Sequence, residues 1–116
     1  MTQAGVWYAR PVFFVSDLER SLRFYLDVLG FTKKWHEADG KGTVCQVDRS
    51  DCEIILTQEP RADKSRIFLE LDAGGLAEFR REIEERSIPH TMTWWGYDVI
   101  RIVDPDGNEL FVCAVV

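Results

Sequence analysis

Three large aromatic residues, Trp94, Trp95 and Tyr97, fall within four positions near the end of the chain, and Trp35 stands in its first third. Flat rings offer stacking surface to heteroaromatic or cationic groups, worth about 0.5–2 kcal/mol per contact. Arg10 and Arg66 carry the other recognition chemistry. A guanidinium in a cavity either pairs with a nearby carboxylate, here Glu53, Glu70 or Glu109, or clamps the carboxylate or phosphate of a ligand. Both options stand open at this point. Glu37, Asp39, Glu53 and Asp98 could receive a cationic ligand, with Asp39 better suited to a solvated turn. His36 and His90 are the only histidines, and Cys45, Cys52 and Cys113 show no metal-type spacing.

The elements that must hold these residues are legible from the pattern. Arg10-Pro11-Val12-Phe13-Phe14-Val15 reads as a strand, with Pro11 near its start, where a missing N–H is tolerated. Ser16-Asp17-Leu18-Glu19 reads as a capping box opening a helix. Leu18, Leu22, Tyr25, Leu26 and Leu29 then form one apolar stripe, and Gly30 closes the helix as its left-handed residue. Extended segments follow at about 32–38, 42–48 and 52–58. Residues 59–65 are a polar linker. Arg66 to Leu71 is a strand, Gly74 and Gly75 lead into a second helix closed by Ile88-Pro89, and strands at about 90–95, 97–103 and 108–115 finish the chain.

This order is strand, helix, three strands, given twice. Val47-Asp48-Arg49-Ser50-Asp51 lies over Val103-Asp104-Pro105-Asp106-Gly107 at a spacing of 56 residues, and the same spacing lays Arg10–Val15 over Arg66–Leu71. A shared spacing in two separate segments points to a duplicated βαβββ unit. The expected fold is α+β: two tandem modules, about 6–58 and 66–116, forming a curved mixed sheet around a concave cavity with helices on its outer face. Alternation assigns the faces. Arg10, Val12, Phe14, Phe68, Glu70, Glu109, Phe111 and Cys113 face the cavity, while Pro11, Phe13, Val15, Ile67, Leu69, Leu71, Leu110 and Val112 face the helices. In a strand, Trp94 and Trp95 point to opposite faces, so one is expected in the core and the other at a ligand.

A chain of 116 residues with 46% apolar and 29% charged residues fits one globular domain. Its net charge of −6 disfavours nucleic acid, whose phosphates need a basic footprint. No apolar run approaches the ~20 residues that span a bilayer, and the first residues lack the pattern of a secretory signal. Three cysteines in strand-like segments read as buried reduced thiols, and a cytoplasmic location is expected.

The start Pro11-Val12-Phe13-Phe14-Val15-Ser16-Asp17-Leu18, the stretches Ser21–Tyr25 and Leu29-Gly30-Phe31, and the ending Asp104-Pro105-Asp106-Gly107-Asn108 together resemble the vicinal oxygen chelate superfamily. That group holds glyoxalase I, extradiol dioxygenases, fosfomycin-resistance enzymes and bleomycin-resistance proteins. Trp95-Gly96, eight residues before the Asp104 turn, resembles the bleomycin-resistance branch. That branch implies a homodimer that sequesters a cationic glycopeptide antibiotic in clefts at the subunit interface, without chemically changing it. It also favours Trp95 over Trp94 as the ligand-facing ring and pairs it with Trp35 as a clamp.

The enzymes of the superfamily hold a divalent metal at four positions that correspond here to Arg10, Ile55, Arg66 and Phe111. Arginine is permanently protonated, and Phe and Ile have no donor atom. The resemblance therefore implies a small-molecule binder without metal or cofactor. Its expected ligand-binding residues are Trp35, Trp95, Gly96, Tyr97, Phe14, Phe68, Phe111, Arg10, Arg66, Glu53 and Asp98, with no catalytic residue. Two alternatives remain at this level: a metal-dependent lyase, isomerase or dioxygenase with a rebuilt site, and a binder of an unrelated metabolite.

Overall fold

A computed structural model of the chain describes residues 9–59 and 63–114. Residues 6–8 and 115–116 of the expected modules, and 60–62 of the expected linker, lie outside that range. The first module runs β1 (Val12–Val15), α1 (Leu18–Leu22, continuing as wider π-helical turns over Arg23–Val28), β2 (Thr32–His36), β3 (Val44–Arg49) and β4 (Cys52–Gln58). The second repeats the order with β5 (Arg66–Leu71), α2 (Ala73–Arg86), β6 (Thr91–Trp94), β7 (Asp98–Val103) and β8 (Glu109–Ala114). Each module is a four-stranded mixed sheet, ordered β1-β4-β3-β2 and β5-β8-β7-β6. The duplication is visible in the register: Val12 lies beside Ile55, and 56 residues later Phe68 lies beside Phe111.

The helix-facing sides of the two sheets share one core. Phe13, Val15, Ile54 and Leu56 join Ile100, Ile102, Leu110 and Val112, with Leu18, Leu22, Tyr25 and Leu29 from the first helical segment and Phe79 and Ile83 from α2. On the other side of the second sheet, Val99, Phe111 and Cys113 make a small separate cluster. The alternation of the strands thus sorts them as expected, with the shared core on one side of each sheet.

The entry to α1 differs from the expected capping box. Asp17 is the N-cap, its Oδ1 accepting from the Arg20 amide at 3.2 Å. Ser16 is taken instead by the second module: its amide and hydroxyl donate to Asp106 Oδ1 at 3.0 and 2.7 Å. A tertiary partner that accepts two bonds outcompetes a local cap, and the cap moves one residue on. The exit follows expectation. Gly30 has φ +75°, and the Phe31 amide donates back to the Tyr25 carbonyl at 2.8 Å. In α2, Asp72 caps Gly75 at 2.7 Å, which starts the helix at Ala73, ahead of the glycines.

The turn after β7 locks the modules together. Asp104 is buried and accepts from the amides of Asp106 and Asn108 at 2.9 and 2.8 Å and from the Asn108 side chain at 3.0 Å. Its remaining bond comes from the Tyr25 hydroxyl at 3.0 Å, across the module boundary. Gly107 supplies the left-handed residue, φ +87°, that closes the turn. Among the described residues no helix is long and apolar enough to cross a membrane.

Candidate functional site

The sides of the sheets that face away from the shared core carry two distinct side-chain constellations, one per module. On the first sheet, register aligns Trp35, Gln46, Ile55 and Val12 in one row across four strands. Gln46 is its centre and is only 1% exposed. Its Oε1 accepts from Arg10 at 2.6 Å and from the Trp35 indole at 3.1 Å, while its Nε2 lies 2.9 Å from both Asp48 Oδ1 and Glu53 Oε1. One buried amide therefore spaces a guanidinium from two carboxylates and fixes the edge of a half-exposed indole.

On the second sheet, the equivalent row is Thr91, Arg101, Phe111 and Phe68. Here the centre is a cation. Arg101 Nε donates to Glu109 Oε2 at 2.6 Å, and Arg66 donates to Oε1 of the same carboxylate at 2.8 Å. Those two bonds, Arg66 first, hold the Glu109 carboxyl below the usual range, against the opposing effect of burial. The Arg66 guanidinium lies 4.4 Å from the Phe111 ring centre and 5.5 Å from that of Trp95. Phe68, Trp95 and Phe111 meet one another edge-to-face, with centroids 5.2 to 5.7 Å apart. Phe111 is buried beneath, while Phe68 and Trp95 remain 41% and 48% exposed. The result is a fixed aromatic surface with guanidinium groups along one side.

Gly96 builds the corner that holds Trp95. With φ +83° it lets the Trp95 amide donate to the Tyr97 carbonyl at 3.0 Å, so the chain reverses between β6 and β7. Tyr97 then reaches Cys113 at the far end of the face, close enough to Glu70 to feel its charge.

Of the expected site residues, Phe68, Trp95, Phe111 and Arg66 come together in this one cluster, with Gly96 and Tyr97 at its rim. Arg10, Glu53 and Trp35 come together on the other sheet. Within one chain, then, the expected Trp35–Trp95 pair is divided between two faces, and among the described residues no ring contact joins them. Both arginines are engaged by polar partners: Arg66 with Glu109, as one of the two options had it, and Arg10 with Gln46, through which it reaches Glu53. Asp98 alternates with Ile100 and Ile102, on the core side of β7, and sits exposed at the strand's start beside Trp94. Phe14 lies on β1, and its carbonyl accepts from the Asn108 side chain at 3.3 Å. Glu37 closes its own turn by accepting from the Thr43 amide at 2.7 Å.

Trp94 corrects the expectation that one of the tandem tryptophans is core: it is 70% exposed. It ends β6, the outermost strand of its sheet, so no further strand stands beside it to cover it. Two organising residues were missed by the sequence reading, Gln46 and Arg101. Each is a polar residue in the middle of an apolar strand, Val-Cys-Gln-Val and Val-Ile-Arg-Ile-Val, and that interruption was the available signal.

The arrangement matches a known group. A family model described as Glyoxalase/Bleomycin resistance protein/Dioxygenase superfamily covers residues 7–112. The chain belongs to this superfamily. No curated protein matches it by sequence. Among solved structures, a bleomycin-binding protein complexed with bleomycin is similar at 25% identity and a TM-score of 0.74, covering 96% of this chain and 100% of its own. A bleomycin resistance determinant encoded on the transposon Tn5 gives 24% and 0.73, covering 92% and 96%. A lactoylglutathione lyase from Agrobacterium tumefaciens gives 18% and 0.71, covering 97% and 96%, which shows the shared fold.

Enzymes of the superfamily imply a metal, and the residues here do not fit one. The four positions expected from the resemblance to supply its ligands, Arg10, Ile55, Arg66 and Phe111, carry no side chain able to ligate an ion. Of the neighbouring carboxylates, Glu109 is held by two arginines. Among the described residues no group of three or more His, Cys, Asp or Glu side chains stands close enough to hold an ion.

Proposed function

We propose that this protein binds a small molecule stoichiometrically, without a metal and without transforming it. The ligand is a flat cationic or heteroaromatic molecule, and a glycopeptide antibiotic of the bleomycin kind is the leading case. The reading rests above all on the fixed aromatic surface in which the half-exposed rings of Phe68 and Trp95 stand over the buried Phe111. The Asp48–Glu53 pair on the first module is suited to a ligand's cationic groups, with Trp35 beside it as a stacking ring. A bleomycin-binding protein and a bleomycin resistance determinant of the same fold support the choice of ligand.

The protein acts as a homodimer with its clefts at the interface. Large rings left open on both faces support this, since each face alone is half of an enclosure. The buried Cys45 and Cys113 and the partly buried Cys52 are free thiols and suit the reducing cytoplasm. Calorimetry with bleomycin tests the ligand: saturable binding that Trp95→Ala abolishes is expected. Absence of heat with the wild type would remove the antibiotic reading. Metal analysis of protein purified without chelators should return far less than one ion per chain, and a stoichiometric transition metal would favour an enzyme instead. Light scattering should give about twice the chain mass of 13.4 kDa.

A further inference from the structure

The two modules place different charges at equivalent positions. In the first, the centre of the row is the neutral Gln46, flanked by one arginine and two carboxylates, so the cluster carries one net negative charge. In the second, the centre is Arg101, and two guanidiniums share the single carboxylate of Glu109. That cluster carries one net positive charge, and its arginine side chains are accessible at 44% and 36%. Arg66 is held flat by the rings beneath it, so little freedom is lost when it takes up a further partner. Glu70, the other acid on this face among the described residues, stands four residues along β5, its Cα about 13 Å from that of Arg66. It lies at the Tyr97 end.

From this we propose that the second module's face selects an acidic aromatic ligand: a planar ring system lying against Phe68 and Trp95, with its carboxylate received by Arg66 and Arg101. The proposal rests on the reading of this aromatic surface as the binding face and takes the heteroaromatic branch of that reading: a purely cationic ligand would be received by Asp48 and Glu53 on the first module instead. A ligand carrying both signs would place its acid here and its amine either at Glu70 or on the first module's Asp48 and Glu53. The arginine pair suits a carboxylate because a fork of N–H donors meets two oxygens, and charge-assisted bonds of this kind are about twice as strong as neutral ones.

Three probes of one shape test it: 2-naphthoate, 2-naphthalenemethanol and 2-(aminomethyl)naphthalene, titrated into the whole chain at low salt. The naphthoate is expected to bind roughly tenfold more tightly than the alcohol, and the cationic amine no better than the alcohol. The naphthoate preference should shrink several-fold between 20 mM and 500 mM salt through charge screening. It should fall to about unity in Arg101→Gln and be partly kept in Arg101→Lys. Equal binding of the three probes, or a preference for the amine, would overturn the acidic-ligand proposal while leaving the aromatic face as a binding site. A failure of all three probes to bind would overturn the aromatic-face reading and the acidic-ligand proposal with it. A salt-independent naphthoate preference, or one unchanged in Arg101→Gln, would also overturn the role given to the arginines.

Discussion

The Tyr25 hydroxyl donates to Asp104 Oδ2 at 3.0 Å, joining the helical segment of the first module to the terminal turn of the second. Burial, reinforced by the Asp104 charge, pushes the Tyr25 phenol well above its ordinary value. Tyr25→Phe should lower stability by about 1–2 kcal/mol near neutral pH, measured by urea unfolding, because Asp104 keeps its other donors. The neutral phenol is the form favoured in the fold. The wild type's advantage is therefore complete below the ordinary tyrosine value of about 10 and declines as pH rises beyond it.

Gln46 is the one side chain that reconciles Arg10, Trp35, Asp48 and Glu53. Gln46→Leu should cost about 1–3 kcal/mol, since it strands polar partners without removing their charges. Gln46→Glu should cost more at neutral pH, because it puts a third carboxylate beside two others, and should recover as the pH is lowered toward 4. Thermal melts across that range distinguish the two variants.

Glu109 is the counter-ion of two arginines, and its carboxyl lies below the usual 4.5. Its stabilising effect is present in full above that ordinary value and fades as the pH falls through the lowered one. Glu109→Gln should thus cost about 1 kcal/mol at pH 7, with the gap to the wild type narrowing under acid conditions. A gap that stayed constant down to the acid transition would contradict the assignment.

The tandem tryptophans should behave differently. Trp95 contacts two rings and a guanidinium, so Trp95→Ala should cost about 1–2 kcal/mol. Trp94→Ala should change stability by less than about 0.5 kcal/mol, as expected of an exposed residue. Denaturant titration of both variants checks the contrast.

Burial pushes the Cys45 and Cys52 thiols up to about 11. Since the thiolate is the reactive form, iodoacetamide at pH 8 should label the native protein slowly and all three cysteines quickly in urea. Mass spectrometry of the quenched reaction reads the difference.

The duplication, the sorting of strand faces and the Gly30 helix end were readable in the residues because each depends on local periodicity or on one backbone requirement. Ser16 was not, because its partner Asp106 lies 90 positions away and no local pattern records it. The same holds within the site. Alternation put Arg66, Phe68 and Phe111 on one face, yet the roles of Gln46 and Arg101 emerge only when β3 and β7 are set between their neighbours. Trp94 illustrates the reverse problem. A large ring argues for burial, and strand order at the sheet's edge overrules it.

One side of each sheet holds the molecule together, and the opposite side holds the rings and charges proposed to meet a ligand. Because strand neighbours point in opposite directions, a change at Phe68 or Arg101 leaves Leu69 or Ile102 where it was. Selection can therefore rewrite what the chain recognises while the packing that folds it stays fixed. A duplicated unit of this construction offers two such surfaces to vary independently, and the neutral Gln46 opposite the cationic Arg101 in the repeat is the trace of their divergence.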